Sequence, residues 1–343
     1  MRLQTLPRLA QDWSITATSE LFDRVSQTPA GQSLLQRLEK GGALSCDGIS
    51  PAAQPFVAAL LRHLFPKRPM VVVTDGLKTQ ETFHQDVQTW LQFRVPSSEF
   101  RVKKSTRSSD RRLHHASLFY PAWEILPHEA KLPHADVISE RLETLVALSS
   151  WSNSEPGTRS SESPLIVTNV TALLQRTFPP RAIAERTRSL ARGDEIEPLD
   201  LIEWLEEQGY EPEAQVNHKG EIALRGGILD VYPLTSPWPV RLEFFGNELE
   251  SLRYFDPLTQ ISREEITTVT LPPAGELGIL KRLLEGSSAF RVPSSESKAA
   301  SVRTELETRN RERGTELATL IDYLPGQTIF LLCEPDALRE HAD

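Results

Sequence analysis

Cysteine is nearly absent: the 343 residues hold two, Cys46 and Cys333. That number excludes a disulfide framework and a cysteine-ligated zinc site. Both lie in apolar runs that read as buried strands, as small core residues do in a reducing compartment. Positive charge is not in excess either. The 38 Lys and Arg against 47 Asp and Glu leave a net −9, which argues against a globally basic nucleic-acid binder and leaves any phosphate contact to a local patch. Long hydrophobic runs are missing too. The longest nearly apolar stretch, Phe56–Phe65, contains Arg62 and His63 and is about half of a membrane span. The opening MRLQTLPRLAQDWS has basic residues but lacks the apolar core and cleavage site of a secretory signal. A cytoplasmic chain without a membrane partner is the expectation. What is present, 39% hydrophobic and 25% charged residues, is an ordinary globular composition, and the length suits two domains of roughly 150 residues.

The pattern along the chain gives those domains a character. GQSLLQRLEKGG reads as a helix stopped by Gly41–Gly42, and ALSCD (43–47) as a buried strand. Ser50 and Pro51 then open the helix AAQPFVAALLRHLF as N-cap and first-turn proline. MVVVTD (70–75), SLFYP (117–121) and PLIVTN (164–169) are strands, separated by helices over LKTQETFHQDVQTWL and roughly 136–150. Apolar strands alternating with amphipathic helices mean βαβ units and a parallel sheet covered on both faces. After Pro179–Pro180 and a helix at 198–208, the chain reads as short antiparallel strands: GYEPEAQV, EIALR, GILDVYP, PVRLEFF and ELESLRYF. Turn signals at His218–Gly220, Gly226–Gly227 and Gly246–Asn247 separate several of them. From about 277 helices return, and QTIFLLCE (327–334) is one more apolar strand that should re-enter the first domain. The sequence stops nine residues after Glu334, and a piece of a longer protein is expected. Three polar stretches, 94–116, 152–163 and 287–300, read as disordered insertions, the first and third sharing RVPSSE (Arg94–Glu99 and Arg291–Glu296).

The turn Cys46-Asp47-Gly48-Ile49-Ser50-Pro51-Ala52 lies where a sheet protein places a phosphate loop. A working loop needs a second glycine and a lysine for the terminal phosphates. Here no lysine occurs from Ala43 until Lys67, Asp47 brings a carboxylate, and Pro51 removes an N–H donor. The loop is degenerate at Gly48 and Ser50, and no nucleotide is expected. Gly48-Ile49-Ser50-Pro51-Ala52 also approaches a nucleophile elbow, but Pro51 deletes the oxyanion N–H, and Ser50 is explained as a helix cap. His128-Glu129 lacks a second histidine at zincin spacing, His114-His115 sits in the basic insertion, and Asp194-Glu195 follows no apolar strand and reads as a surface turn. No catalytic residue, metal site or cofactor emerges. The run 101–112 carries Arg101, Lys103, Lys104, Arg107, Arg111 and Arg112 against Asp110. It is either a solvated loop or a patch for phosphates; no aromatic interleaves the charges for base stacking. Arg176, Arg181, Arg186, Arg188 and Arg192 form a second group. They either pair locally with Glu195, Glu197 and Glu203 or present guanidinium forks to a protein partner.

LFYPAWEILPHE (118–129), DVISERLETLVAL (136–148) and LIVTNVTALLQRTFPP (165–180) resemble the N-terminal region of the bacterial transcription-repair coupling factor family. GYEPEAQVNHKGEIALRGGILDVYPLTSPWPVRLEFFGNELESLRYFDPLTQ (209–260) is the most specific piece and resembles the same module in both that family and the excision-repair helicase UvrB. The resemblance is closest over 117–275, looser over 30–92, and returns at 318–334. UvrB keeps a working phosphate loop and a tyrosine-rich hairpin that grips DNA; neither is in this chain, whereas the coupling factors' UvrB-like module has lost the loop.

The resemblance implies an α/β fold: a parallel-sheet P-loop-NTPase-like domain with a degenerate phosphate loop, interrupted by a β-rich α+β domain. Its parts would be 1–174 for the first part of domain 1, 175–272 for the inserted domain, and 273–343 for the return. It further implies a non-catalytic adaptor that recruits the damage sensor UvrA, with the family's ATPase motor and RNA-polymerase-binding domain beyond Asp343. RNA polymerase and DNA would be partners of the full-length protein, and the fragment itself monomeric. By motif position Arg176 (in LLQRTF) and Arg192 (in ARGDEI) fall on the family's contact arginines, while the aromatic contact that follows is Ile196 here. Burial of Arg176 under a neighbouring loop is the alternative. The family masks this surface in the resting full-length protein, so an isolated fragment should bind more readily. An accessory DNA-binding module acting through Lys103, Lys104, Arg107, Arg111 and Arg112 is the other reading.

Overall fold

The computed structural model describes residues 20–92, 117–125, 133–153, 163–276, 279 and 317–342. After a helical stretch over 20–26, helix α1 (Pro29–Lys40) starts at Thr28, whose Oγ1 accepts the Gly31 N–H at 3.1 Å, and stops at Gly41 with φ 75. A single turn of tighter helix over Pro51–Ala53 leads into α2 (Gln54–Leu64). Strand β1 (Met70–Thr74) follows, then α3 (Leu77–Gln92), β2 (Leu118–Tyr120), α4 (Ala135–Asn153) and β3 (Leu165–Asn169). Far along the chain, β12 (Ile329–Leu332) joins the same sheet ahead of a terminal helix, α8 (Pro335–Ala342). The strand order is β12-β1-β3-β2 and every pairing is parallel, with Met70 opposite both Ile329 and Leu165.

Every residue of β1 and β3 is buried, which is why MVVVT and LIVTN read as unbroken apolar runs rather than alternating ones. One face packs Val72, Leu165 and Val167 against α2 and α3 through Ala58, Leu61, Phe83 and Val87. The other packs Val71, Val73 and Ile166 against α4 through Ile138, Leu142 and Leu145. The expected return of the chain at 327–334 is therefore real.

The segment 43–47 departs from the expected buried strand. It has no ladder partner, and Cys46 and Asp47 are exposed. Gly41, Gly42 and Gly48 all hold positive φ around it, and the Ser45 hydroxyl donates to Asp47 Oδ1 at 2.9 Å. Short polar side chains that bond locally compete with a ladder, and here they win. Cys333 is buried at the end of β12, where burial first and the carboxylates of Glu334 and Asp75 next push its thiol up to about 12.

Between β3 and β12 the architecture changes. Two short helices, α5 (Val170–Leu174) and α6 (Pro180–Glu185), precede β4 (Arg188–Ala191) and α7 (Pro198–Glu207). Then come β5 (Glu211–Pro212), β6 (Glu221–Arg225), β7 (Ile228–Val231), β8 (Val240–Phe245), β9 (Glu248–Phe255), β10 (Ser262–Ile266) and β11 (Thr268–Leu271). Six of these form a sheet in the order β10-β9-β8-β7-β6-β5, while β4 and β11 make an antiparallel pair. The sheet is antiparallel as expected except at its edge, where β5 runs parallel to β6. Leu229, Val231, Leu242 and Leu252 of its inner face pack on Leu201 and Leu205 of α7. Gly227 lies in the β6–β7 turn, where an added Cβ would come within 2.9 Å of the Phe244 carbonyl oxygen. No side chain fits between that turn and β8.

One buried side chain joins the two parts. Arg141 on α4 has no exposed surface, and neither has Glu276, just past β11. Arg141 Nε donates to Glu276 Oε2 at 2.8 Å and Nη2 to Oε1 at 3.0 Å. Its other bonds reach Tyr120 Oη (2.6 Å), the Pro121 carbonyl (2.8 Å) and Gln175 Oε1 (3.2 Å). The guanidinium carbon stands 4.2 Å from the Tyr120 ring centroid and 4.6 Å from that of Trp123. Gln175 follows β3 on the segment that leads toward the β-rich part and Glu276 follows β11 on the segment that comes from it, so one guanidinium touches both connecting segments. Lys219, in the inserted part, adds a 2.8 Å bond to Ser139 Oγ on the same helix.

Candidate partner-docking site

Arg176 lies on an extended segment anchored on both sides. Upstream, Gln175 accepts the Trp123 N–H at 2.7 Å through Oε1 and donates to the Trp123 carbonyl through Nε2 at 3.3 Å. Downstream, Thr177 exchanges both backbone bonds with Ala318 and is buried, as is Phe178, whose carbonyl accepts the Tyr323 hydroxyl at 2.6 Å. With both neighbours directed inward, Arg176 is held out in solvent. The alternative of burial under a loop is overturned.

Arg192 occupies a turn after β4. Its N–H donates to the Thr267 carbonyl at 3.0 Å, and Gly193, with φ 91, donates to the Leu249 carbonyl at 2.9 Å. Asp194 closes the turn by accepting the Ala191 N–H at 2.8 Å, so Asp194 serves the surface turn expected of it. Arg192 is exposed, and among the described residues neither its guanidinium nor that of Arg176 has an ion pair or a side-chain hydrogen bond.

The other three arginines do not pair with Glu195, Glu197 and Glu203 as the local reading expected. Arg181 pairs with Glu185 at 2.7 Å one helical turn away. Arg186 donates to Gln208 Oε1 at 3.0 Å, and Arg188 stacks 4.3 Å from the Trp204 ring centroid. The reason is the orientation of α7, which turns Trp204 rather than Glu203 toward β4.

Ile196 is a half-buried residue that packs against the core of the β-rich part, and its N–H donates to the Asn247 carbonyl at 2.7 Å. Gly48 holds φ 81 in an exposed turn, and Ser50 precedes the Pro51–Ala53 turn with no side-chain cap bond, so its expected capping role is reduced to backbone geometry. At the start of α2, Gln54 Nε2 donates to Glu334 Oε1 at 2.8 Å. Lys103, Lys104, Arg107, Arg111 and Arg112 lie outside the described residues, as do His114, His115, His128 and Glu129. Among the described residues no group of three or more His, Cys, Asp and Glu is placed to hold a metal, and no helix is long and apolar enough to cross a membrane.

Two features escaped the sequence reading. Arg141 interrupts the inward stripe Ile138, Leu142, Leu145, Leu148 of α4, and a lone charge in such a stripe is the signal that a buried partner exists. Phe245, next to the Gly246–Asn247 turn, is 78% exposed.

The β-rich part defines the class. Residues 189–277 match the family model of the UvrB interaction domain, a span that contains Arg192, Ile196 and the whole six-stranded sheet. Beyond that span the chain is similar to transcription-repair-coupling factors: 32% identical to that of Haemophilus influenzae over 228 residues (62% of this chain, 19% of the relative). The Bacillus subtilis protein is 29% identical over 249 residues (65% and 20%), and that of Escherichia coli 34% over 163 residues (48% and 13%). The chain thus matches a fifth or less of the length of these relatives, and the resemblance to coupling factors extends over about half to two thirds of its own.

Proposed function

We propose that this chain is a recruitment module that docks UvrA for transcription-coupled nucleotide excision repair, without catalysis or ATP binding of its own. The observation that carries the reading is the pair Arg176 and Arg192. Both are exposed and without side-chain partners among the described residues, both are held on backbone pinned by ladder bonds, and Arg192 stands inside the UvrB interaction domain. Guanidinium groups left free on rigid backbone are pre-organised to take carboxylates bidentately at an interface, with little ordering cost on binding.

The degenerate loop supports the non-catalytic half of the reading. The Glu334 carboxylate against Gln54 brings negative charge to the start of α2, where phosphates would need positive partners, and Asp47 adds a carboxylate to the loop itself. The docking domain comprises 175–272 in this view, with 1–174 and 273–343 as its platform, and RNA polymerase and DNA are met by the longer protein. The test is calorimetric titration of the chain with purified UvrA beside Arg176→Glu and Arg192→Glu. Each variant should weaken binding about tenfold or more while keeping the wild-type melting temperature. Wild-type affinity in a folded double variant refutes the assignment of these residues, and a folded wild-type chain that does not bind refutes the function.

A further inference from the structure

The outer face of the six-stranded sheet carries ion pairs across its middle and a buried apolar cluster of Val216, Ala223 and Phe255 beside them. Arg241 forks onto Asp230 with bonds of 2.7 and 2.8 Å, and Arg253 pairs with Glu243. Phe245, unlike Phe255, has no such cover. It follows Arg241 and Glu243 at two-residue steps along β8, so it shares their face, and it is 78% exposed. Its ladder partner is Glu248, which in turn bridges Glu195, so Phe245, Glu248 and Glu195 form one row across the sheet. Ile228, opposite Glu243, is its diagonal neighbour on β7 and is half-exposed.

The support beneath this residue is stiff. The two-residue turn Gly246–Asn247, with Gly246 at φ 62, closes the hairpin, and the Asn247 carbonyl accepts the Ile196 N–H. The adjoining β6–β7 turn locks onto β8 through the 2.8 Å bond from Phe244 N–H to the Gly227 carbonyl. The Arg192–Gly193 turn reaches the same rim, since Gly193 N–H donates to Leu249, the residue after Glu248. An apolar centre on rigid backbone, with charged groups around it, is the anatomy of an interface hot spot.

We infer that Phe245 is the apolar anchor of the docking surface, with Ile228 beside it and Arg192 on its rim. The inference rests on the UvrA-docking reading above and extends it from arginine contacts to a desolvated centre. The partner face it requires carries an apolar recess for one aromatic ring, bordered by carboxylates for the arginines. The occupant is the same protein partner, because Phe245 lies within the matched interaction domain and on the rim that carries Arg192.

The experiment titrates the full chain and three variants, Phe245→Ser, Phe245→Trp and Leu258→Ser, against purified UvrA by calorimetry. Leu258 is 91% exposed and lies in the β9–β10 connection, at the opposite end of β9 from Phe245. Phe245→Ser should weaken binding about tenfold or more, Phe245→Trp should stay within about threefold of wild type, and Leu258→Ser should change nothing. Wild-type affinity in folded Phe245→Ser, alongside weakening by Arg192→Glu, overturns the anchor and leaves the docking reading standing. Equal losses from Phe245→Ser and Leu258→Ser overturn it as well, since general apolar adhesion would then be at work. Absence of binding by the wild-type chain removes the docking reading and the anchor with it.

Discussion

Replacing Arg141 with methionine isolates the energetics of the junction. Methionine roughly fills the volume of the arginine stem but leaves the Glu276 carboxylate, with no exposed surface, facing only the Trp123 indole N–H at 3.3 Å among its described side-chain donors. Breaking a buried pair from one side costs about 3–5 kcal/mol, because the surviving charge is desolvated and uncompensated. With a urea slope of about 2–3 kcal/mol/M, the unfolding midpoint should fall by about 1–2.5 M. Removing both charges in Arg141→Met/Glu276→Leu takes away the orphan and should recover at least half of the loss. Full recovery is not expected, since the Pro121 carbonyl and the Tyr120 hydroxyl still lose the donor they had. The assay is urea unfolding followed by far-ultraviolet circular dichroism, with tryptophan fluorescence, to which Trp123 is one of six contributors, as a second probe. A single variant whose midpoint stays within about 0.3 M of wild type would show that water reaches the pair. A double variant as unstable as the single would show that the lost hydrogen bonds, not the stranded charge, set the cost.

Two further outcomes follow from ionisation. Burial first, and then the carboxylates of Asp136, Glu143 and Glu81, push the Glu140 carboxyl up to about 7 from its ordinary 4.5, with Lys219 opposing. The folded chain therefore holds a proton that the unfolded chain releases, so this group's contribution falls as pH rises from about 4.5 to about 7. Glu140→Gln should melt higher than wild type at about pH 8 and equal to it near pH 4, and a constant difference across that range would refute the assignment. For the thiols, a native-state titration with an aromatic disulfide should show one fast equivalent from exposed Cys46 and a slow one from Cys333, whose thiol is buried and pushed up to about 12. Two fast equivalents without denaturant would mean that the end of β12 opens readily.

Much of the first domain was legible because its strands are buried on both sides. MVVVT, LIVTN and IFLL stand out from their surroundings whatever covers them. ALSCD has a similar look at lower contrast, but Ser45 and Asp47 satisfy each other and the flanking glycines let the chain turn away. The pair β4 and β11 was missed because RSLA and TVTL bury little beyond Leu190, Val269 and Leu271, and the rest is charge and threonine. Parallel pairing at β5 has no local signature, since its direction follows from where α7 ends. Arg176 and Arg192 were found by motif, yet their freedom from partners depends on what lies around them in space. The Arg141–Glu276 pair joins residues 135 positions apart, a distance no local pattern crosses.

That pair has a mechanical consequence. An insertion reached by two passages of chain can swing about them like a door on a pair of cords. Here both cords are pinned within one side chain's reach, at Gln175 and beside Glu276, with Lys219 as a third point on the same helix. A load applied to the β-rich part is therefore shared by α4 and the parallel sheet it covers, as in a bracket fixed at three points.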